Sequence, residues 1–135
     1  MSVAIDTNVL VRLLVRDDEA QFAAAKRLVE QAGAAGAPVL IVLCALLETE
    51  WVLRSRYKLS KPAIAGAFAR LLESEDVVIE HEASLEEALY VWAQYPVADF
   101  ADCLINARAA QLGRTRFASF DAAAAKLPRG ELLGP

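Results

Sequence analysis

Short apolar runs alternate with longer segments of helical period along almost the whole chain of 135 residues. This alternation builds βαβ units and a parallel sheet rather than a helix bundle or a β-sandwich. The run 39–42 reads Val-Leu-Ile-Val, as expected for a strand that is covered on both faces. Strands are predicted at about residues 3–5, 39–42, 77–79 and 117–119, with at most one edge strand after residue 128.

Capping residues precede most of the segments with helical period. Asn8, Asp17 or Asp18, and Ser60 are placed to accept hydrogen bonds from the first turns of three helices. Ser84, followed by two glutamates, resembles the capping box that opens another helix. Together with the hydrophobic period, these signals predict helices at about residues 8–14, 18–32, 44–57, 60–74, 84–95 and 100–112.

The length of the chain matches the commonest size of one domain, and no linker, repeat or charge block divides it. We therefore predict a single domain over residues 1–135. Apolar residues make up 56% of the sequence. This exceeds the roughly 45–50% of an ordinary soluble domain, so part of the apolar surface is expected to meet a partner.

No segment has the character of a membrane span or a secretory signal. The longest uncharged run, 31–47, contains two glycines and a proline and is shorter than the roughly 20 apolar residues of a spanning helix. The N-terminus lacks a basic segment followed by an apolar one. We predict a cytoplasmic protein without a membrane helix. Cys44 and Cys103 lie in apolar surroundings and are predicted to be small buried residues.

Acidic residues recur where predicted strands end or helices begin. Asp6 directly follows the first strand, and Asp121 follows the fourth. In parallel α/β sheets, reactive groups gather outside the carboxyl ends of the strands. Taken alone, each aspartate has a simpler interpretation as a helix cap. The recurrence is the informative feature, and it extends to Glu48 in a helix and to Asp99 and Asp102, three apart at a helix start.

Five converging carboxylates would repel one another unless a cation compensates them. Oxygen ligands without histidine or cysteine suit Mg²⁺ or Mn²⁺ and make zinc an unsuitable ion. A bound cation would also reconcile nucleic-acid binding with the net charge of −4, since nucleic-acid-binding proteins usually carry a basic footprint. The only histidine, His81, lies between glutamates and is predicted to be an ordinary surface residue.

The order and spacing of these acids resemble the PIN-domain family, and most closely its VapC-type toxins. The resemblance covers nearly the whole chain and rests on Asp6-Thr7-Asn8 with the apolar residues after it, the stretch 47–57 (LETEWVLRSRY), Asp99-Phe100-Ala101-Asp102 and Ser119-Phe120-Asp121. It implies a three-layer α/β/α domain with a central, mostly parallel sheet of four or five strands. It also implies a Mg²⁺ or Mn²⁺ site and metal-dependent cleavage of RNA.

Carried over residue by residue, the resemblance implies catalytic roles for Asp6, Glu48, Asp99 and Asp102. Asp6, Asp99 and Asp102 are expected to ligate the principal ion, while Glu48 and Asp121 orient waters or hold a second ion. Thr7 and Asn8 are expected to support Asp6 by hydrogen bonds, and Ser119 stands where the family commonly has a hydroxyl near the metal. One metal and two metals both remain compatible with the sequence.

Phosphodiester hydrolysis needs an activated water and relief of negative charge, and a divalent ion supplies both without a side-chain base. The RNA is expected to meet a basic rim. Arg12, Arg54 and Arg56 are its main candidates, beside the alternative of solvated helix faces. Trp51 has two interpretations, stacking on a base or packing in the core, and its helical spacing from Leu47 favours the core.

The resemblance further implies a small antitoxin that neutralises the protein, and a homodimer. Two alternatives stay open: a PIN nuclease of RNA processing without a toxin role, and a catalytically silent PIN-fold module that binds RNA or protein. Other α/β enzymes fit less well. A haloacid-dehalogenase-type phosphatase needs an aspartate at position 8, where this chain has Asn8. A response-regulator receiver domain needs an acidic pair before its phosphorylated aspartate, and this chain has no fitting pair. A dinucleotide-binding fold needs a glycine-rich turn, which this chain also lacks.

Overall fold

The computed structural model describes residues 2–134. The chain forms two compact units, an N-terminal unit, Met1–Glu80, and a C-terminal unit, His81–Pro135. The N-terminal unit contains helices α1 (Thr7–Leu14), α2 (Glu19–Ala34), α3 (Leu43–Ser55) and α4 (Lys61–Glu73), with strands β1 (Val39–Ile41) and β2 (Val77–Ile79). The C-terminal unit contains α5 (Glu82–Gln94), α6 (Phe100–Gln111), β3 (Phe117–Ser119), α7 (Ala122–Ala125) and β4 (Gly130–Leu132).

The strands of the N-terminal unit are parallel, as predicted. β1 pairs with β2, with Leu40 opposite Val78. The predicted strand 3–5 is reduced to a single parallel bridge between Ala4 and Leu40. Two backbone hydrogen bonds hold this bridge, from Ile5 N to Leu40 O at 3.0 Å and from Leu40 N to Val3 O at 2.9 Å. The chain therefore leaves the edge of β1 at Ile5 and enters α1 at once.

In the C-terminal unit, β3 and β4 also pair in parallel, with Ala118 opposite Glu131. The α/β class with parallel strands is confirmed. The strands are three residues long and pair two by two, one pair in each unit, where the sequence predicts one sheet of four or five strands. β4 begins at Gly130, where a Cβ atom would lie 2.2 Å from the carbonyl oxygen of Ala125. Only glycine permits the chain to pass α7 this closely on its way into β4.

Two of the predicted helix caps are wrong, and two are confirmed. Asp18 and Ser60 cap α2 and α4 as predicted. The first helix begins one residue before Asn8, because Asp6 accepts the hydrogen bond from Val9 N at 3.1 Å. Ser84 does not open α5, since His81 adopts a left-handed conformation at φ 54° and the helix starts at Glu82. Ser84 therefore lies within α5, and it is fully buried.

Each unit has its own apolar core. In the N-terminal unit, the fully buried side chains include Leu10, Ile41, Leu46, Leu53 and Phe68. In the C-terminal unit, α5 packs on α6, and the rings of Trp92 and Phe100 meet at a centroid distance of 5.1 Å. Cys103 is buried as predicted, but Cys44 is exposed. Among residues 2–134, no helix has the length and apolar character needed to cross a membrane.

Candidate active site

Asp6 lies at the N-terminus of α1, directly after the buried Ile5. Its Oδ1 accepts the hydrogen bond from Val9 N, so the simple cap interpretation is correct for this oxygen. The carboxylate as a whole is exposed, and the cap does not use Oδ2. Capping therefore fixes the orientation of Asp6 and leaves an oxygen for a ligand. The positive end of α1 also favours negative charge at this position.

Thr7 joins α1 to the acid of α3. Its side chain is 9% exposed, and its hydroxyl donates a hydrogen bond to Oε1 of Glu48, 41 residues away in the sequence. The sequence predicts that Thr7 supports Asp6, and the structure gives it Glu48 as its partner instead. Asp6 and Thr7 are consecutive residues, so this hydrogen bond holds the Glu48 carboxylate beside Asp6.

The two glutamates of α3 differ in their exposure to solvent. Glu48 is exposed, whereas Glu50 is only 4% exposed. Glu50 pairs with Arg54 one turn later, with 2.8 Å between Nε and Oε2 and 3.4 Å between NH2 and Oε1. The pairing makes burial of the Glu50 charge tolerable. The acid of α3 that faces the open cavity is therefore Glu48.

Asp6, Thr7 and Glu48 together line two neighbouring cavities of the N-terminal unit. One, of about 420 Å³, extends toward the start of α3 at Cys44. The other, of about 240 Å³, extends toward the end of α3 and is completed by Asn8, Trp51, Val52 and Arg56. A third cavity of about 410 Å³ links Asp6 and Asn8 to the face of α2. We call the first two the acid groove, since the acids lie at their common boundary.

The acids of the C-terminal unit lie at two helix starts. Asp99 precedes α6 and is exposed, and Asp102 lies in the first turn of that helix. Asp121 caps α7 by accepting from Ala124 N at 2.9 Å through Oδ2. Ser119 holds the turn before it, since its Oγ accepts a hydrogen bond from Asp121 N at 2.9 Å. Like Asp6, Asp121 uses one oxygen as a cap.

The pKa of Asp102 is raised, mainly because its carboxyl group is partly buried. The negative charges of Asp99 and Asp121 raise this pKa further. Asp99 and Asp121 thus lie close enough to Asp102 to disfavour the charge of its carboxylate. A cation with oxygen ligands would relieve this repulsion, and the donors present are of the type that Mg²⁺ prefers. No three acidic, histidine or cysteine side chains in the described part of the chain form a group arranged to hold a metal ion. The complete ligand set remains a prediction.

The family model of the PIN domain matches residues 3–130, which includes all five predicted acids. The chain belongs to the PIN domain family. PIN domains are generally metal-dependent nucleases. Comparison with curated proteins gives no significant match.

Replacing Asp102 of this PIN domain by asparagine is expected to stabilise the metal-free protein at neutral pH. Because the pKa of Asp102 is raised in the folded protein, the folded state binds the carboxyl proton of Asp102 more tightly than the unfolded state does. The stability that protonated Asp102 contributes to the wild-type protein is complete below the unfolded-state pKa of this group. It is lost as the pH rises through the folded-state pKa. Melting temperatures in EDTA from about pH 4 to pH 8 should show the variant's advantage growing with pH. An advantage independent of pH, or equal in the exposed control Glu86→Gln, would contradict this assignment.

The three predicted arginines of the rim have different surroundings. Arg12 donates to Asp17 at 3.0 Å, to the Tyr57 hydroxyl at 2.8 Å and to Gln21 at 2.6 Å. The hydrogen bond to Tyr57 and the charge of Asp17 raise its pKa. Arg12 thus ties α1 to α2 and to the end of α3. Arg54 is engaged by Glu50, and Arg56 lines the acid groove.

Trp51 is the main feature of the site that the sequence misplaces. Its side chain is 50% exposed and borders the acid groove, whereas the favoured prediction placed it in the core. The buried face of α3 is formed by Leu46, Thr49 and Leu53. Trp51 lies on the opposite side of the helix, together with Glu48.

Proposed function

We propose that this PIN domain is a Mg²⁺- or Mn²⁺-dependent endoribonuclease that hydrolyses RNA phosphodiester bonds. The observation that carries the proposal is the Thr7–Glu48 hydrogen bond, which holds a second carboxylate beside Asp6 on an open groove. Two adjacent carboxylates on an open groove are donors of the type that Mg²⁺ prefers, and family membership supplies the reaction class.

In this proposal Asp6, Glu48, Asp99 and Asp102 are the catalytic residues. Asp6, Asp99 and Asp102 would ligate the principal metal ion through oxygen, and Asp121 would orient waters or hold a second ion. When bound, a divalent ion activates water and offsets the charge of the phosphate. Thr7 orients Glu48, and Ser119 orders the turn that carries Asp121. Asn8 lines the acid groove beside them.

A histidine base is not part of the proposal. His81 is exposed as predicted, and its Nε2 lies 2.9 Å from NH2 of Arg108. Because a guanidinium only donates, Nε2 acts as the acceptor in this contact. The remaining candidates for proton transfer at the acids are carboxylates and water.

A toxin role, with a small antitoxin as partner and a homodimer as assembly, is the finer part of the proposal. It is supported by large apolar side chains that remain exposed in the C-terminal unit, including Val97 at 73%, Ile105 at 51% and Phe120 at 72%. Such side chains are common at protein interfaces. A basic antitoxin side chain would complement the acids. The proposed place of action is the cytoplasm. A role in RNA processing is the alternative that needs the same acids, whereas a silent binding module does not require them.

The proposed reaction is tested with purified protein and structured RNA in Mg²⁺, in Mn²⁺ and in EDTA. We expect cleavage in both metals and none in EDTA, with activity returning when metal is added in excess. Added Mg²⁺ should also stabilise the fold, by about 2.7 kcal/mol at 100 times its dissociation constant. Undiminished cleavage in EDTA would refute the metal mechanism. Binding of RNA without cleavage in either metal would favour the silent module.

A further inference from the structure

We propose that the acid groove contains a binding site for one unpaired RNA base, which stacks on Trp51 while Arg56 contacts a neighbouring phosphate. The inference rests on the proposed function and specifies its substrate as single-stranded RNA. It names a base-binding subsite that is separate from the carboxylates themselves. It also predicts that paired RNA is a poor ligand.

Trp51 presents an open aromatic surface at the right place. The ring lies on the same side of α3 as Glu48, one turn further along the helix, and half of its surface is exposed. The Ser55 hydroxyl donates a hydrogen bond to the backbone carbonyl of Trp51, one turn earlier in the same helix. Exposing so large an apolar side chain forgoes the stabilisation that its burial would give. Aromatic side chains commonly stack on unpaired bases in single-strand binding sites.

Arg56 supplies the charge that a phosphate requires. It is exposed, lines the same cavity as Trp51, and forms no ion pair with any residue between 2 and 134. The other two arginines of the predicted rim are held by carboxylates, Arg12 by Asp17 and Arg54 by Glu50. Arg56 lies eight residues after Glu48, about 12 Å along the helix axis. It therefore reaches a phosphate next to the one held at the acids.

The arrangement favours a nucleotide over a protein segment as the occupant. A stacking ring, a phosphate-binding cation and a pair of carboxylates meet on one cavity of about 240 Å³. These groups match the parts of a nucleotide chain: base, phosphate and scissile bond. A duplex hides both faces of each internal base in its own stack, so an unpaired base is required. A protein partner that covers Trp51 is the competing outcome of the test.

Binding is measured with the Asp99→Asn protein in Mg²⁺, so that RNA is held without being cleaved. A short oligouridylate, an oligoadenylate and a duplex of equal length serve as probes. Single strands should quench the fluorescence of the exposed Trp51 more than the duplex does, while Trp92 at 4% exposure contributes little change. Trp51→Ala should weaken binding of single strands by roughly 5- to 150-fold. Tyr90→Ala, which removes an exposed aromatic ring from α5, is the matched control and should bind normally.

Arg56→Gln is tested through the salt dependence of the same binding. Loss of one phosphate contact should reduce the slope of log K against log salt by about 0.7 for a single strand. Arg70→Gln removes the same charge from the exposed surface of α4 and should leave the slope unchanged. Parallel urea unfolding of all variants verifies that each is folded.

The base site is overturned if Trp51→Ala binds single strands as tightly as Tyr90→Ala does, or if duplex and single strand bind equally. It is also overturned if Trp51→Ala changes only the self-association of the protein, since the ring then serves a protein interface. These results are distinguishable from failure of the proposed function. A protein that cleaves RNA with Mg²⁺ but needs no Trp51 retains the nuclease proposal, whereas one that binds single strands through Trp51 without ever cleaving them refutes the nuclease alone.

Discussion

Asp6→Asn and Asp99→Asn are each expected to reduce RNA cleavage by about 100-fold or more, the scale of losing one electrostatic contact to a transition state. Asparagine keeps the shape of the side chain and removes only its charge. The Asp6 cap should persist, because an amide oxygen accepts the hydrogen bond from Val9 N as a carboxylate does. The fold is therefore retained, and the loss should lie in the chemistry.

The measurement compares initial cleavage rates of one RNA by wild type and variants at saturating Mg²⁺. Glu30→Gln on α2 and Glu86→Gln on α5 remove one exposed acid from each unit outside the proposed site and should retain wild-type rates. Urea unfolding of each protein verifies the fold. If either aspartate variant cleaves RNA as fast as its control, that residue is not part of the catalytic group.

The elements that sequence reasoning predicts well are those governed by local chemistry. Asp18 and Ser60 cap their helices because the signal lies within four residues of the helix start. The runs at β2 and β3 are apolar and short, and both become strands at the predicted positions. The position of Asp6 between a buried residue and a helix is equally local. Its partner through Thr7 lies in another helix, and no local signal names it.

The wrong prediction about Trp51 arises in α3, where the helical phase is ambiguous. Apolar residues surround the helix on all sides, from Leu43 to Val52, so their period does not single out one buried face. Thr49 and Glu50 are polar, so the face of α3 that packs in the core resembles a face exposed to solvent. Both residues are nevertheless buried. Glu50 and Arg54, one turn apart, are the signal that was available, since such a pair can neutralise a buried charge. The correct phase would have placed Trp51 at the surface.

The Glu50–Arg54 pair leads to the largest expected effect on stability. The Glu50 side chain is 5% exposed and the Arg54 side chain 53%. Arg54→Met leaves the buried carboxylate without its charge partner. Breaking a buried pair in this way typically costs about 3–5 kcal/mol. We expect about 2–3 kcal/mol in the free energy of unfolding here, because water reaches the exposed half of Arg54 and screens the charge.

Urea unfolding of Arg54→Met is compared with that of Arg16→Met, which breaks the exposed pair between Arg16 and Glu19, with 63% and 71% exposure. The control should lose at most about 1 kcal/mol. The double variant Glu50→Leu/Arg54→Met should be more stable than Arg54→Met alone, since it leaves no unpaired buried charge. Equal losses in Arg54→Met and Arg16→Met would show that Glu50 does not depend on Arg54. If the expected order holds, weakened RNA binding by Arg54→Met must be measured on the folded fraction before it is assigned to a lost phosphate contact.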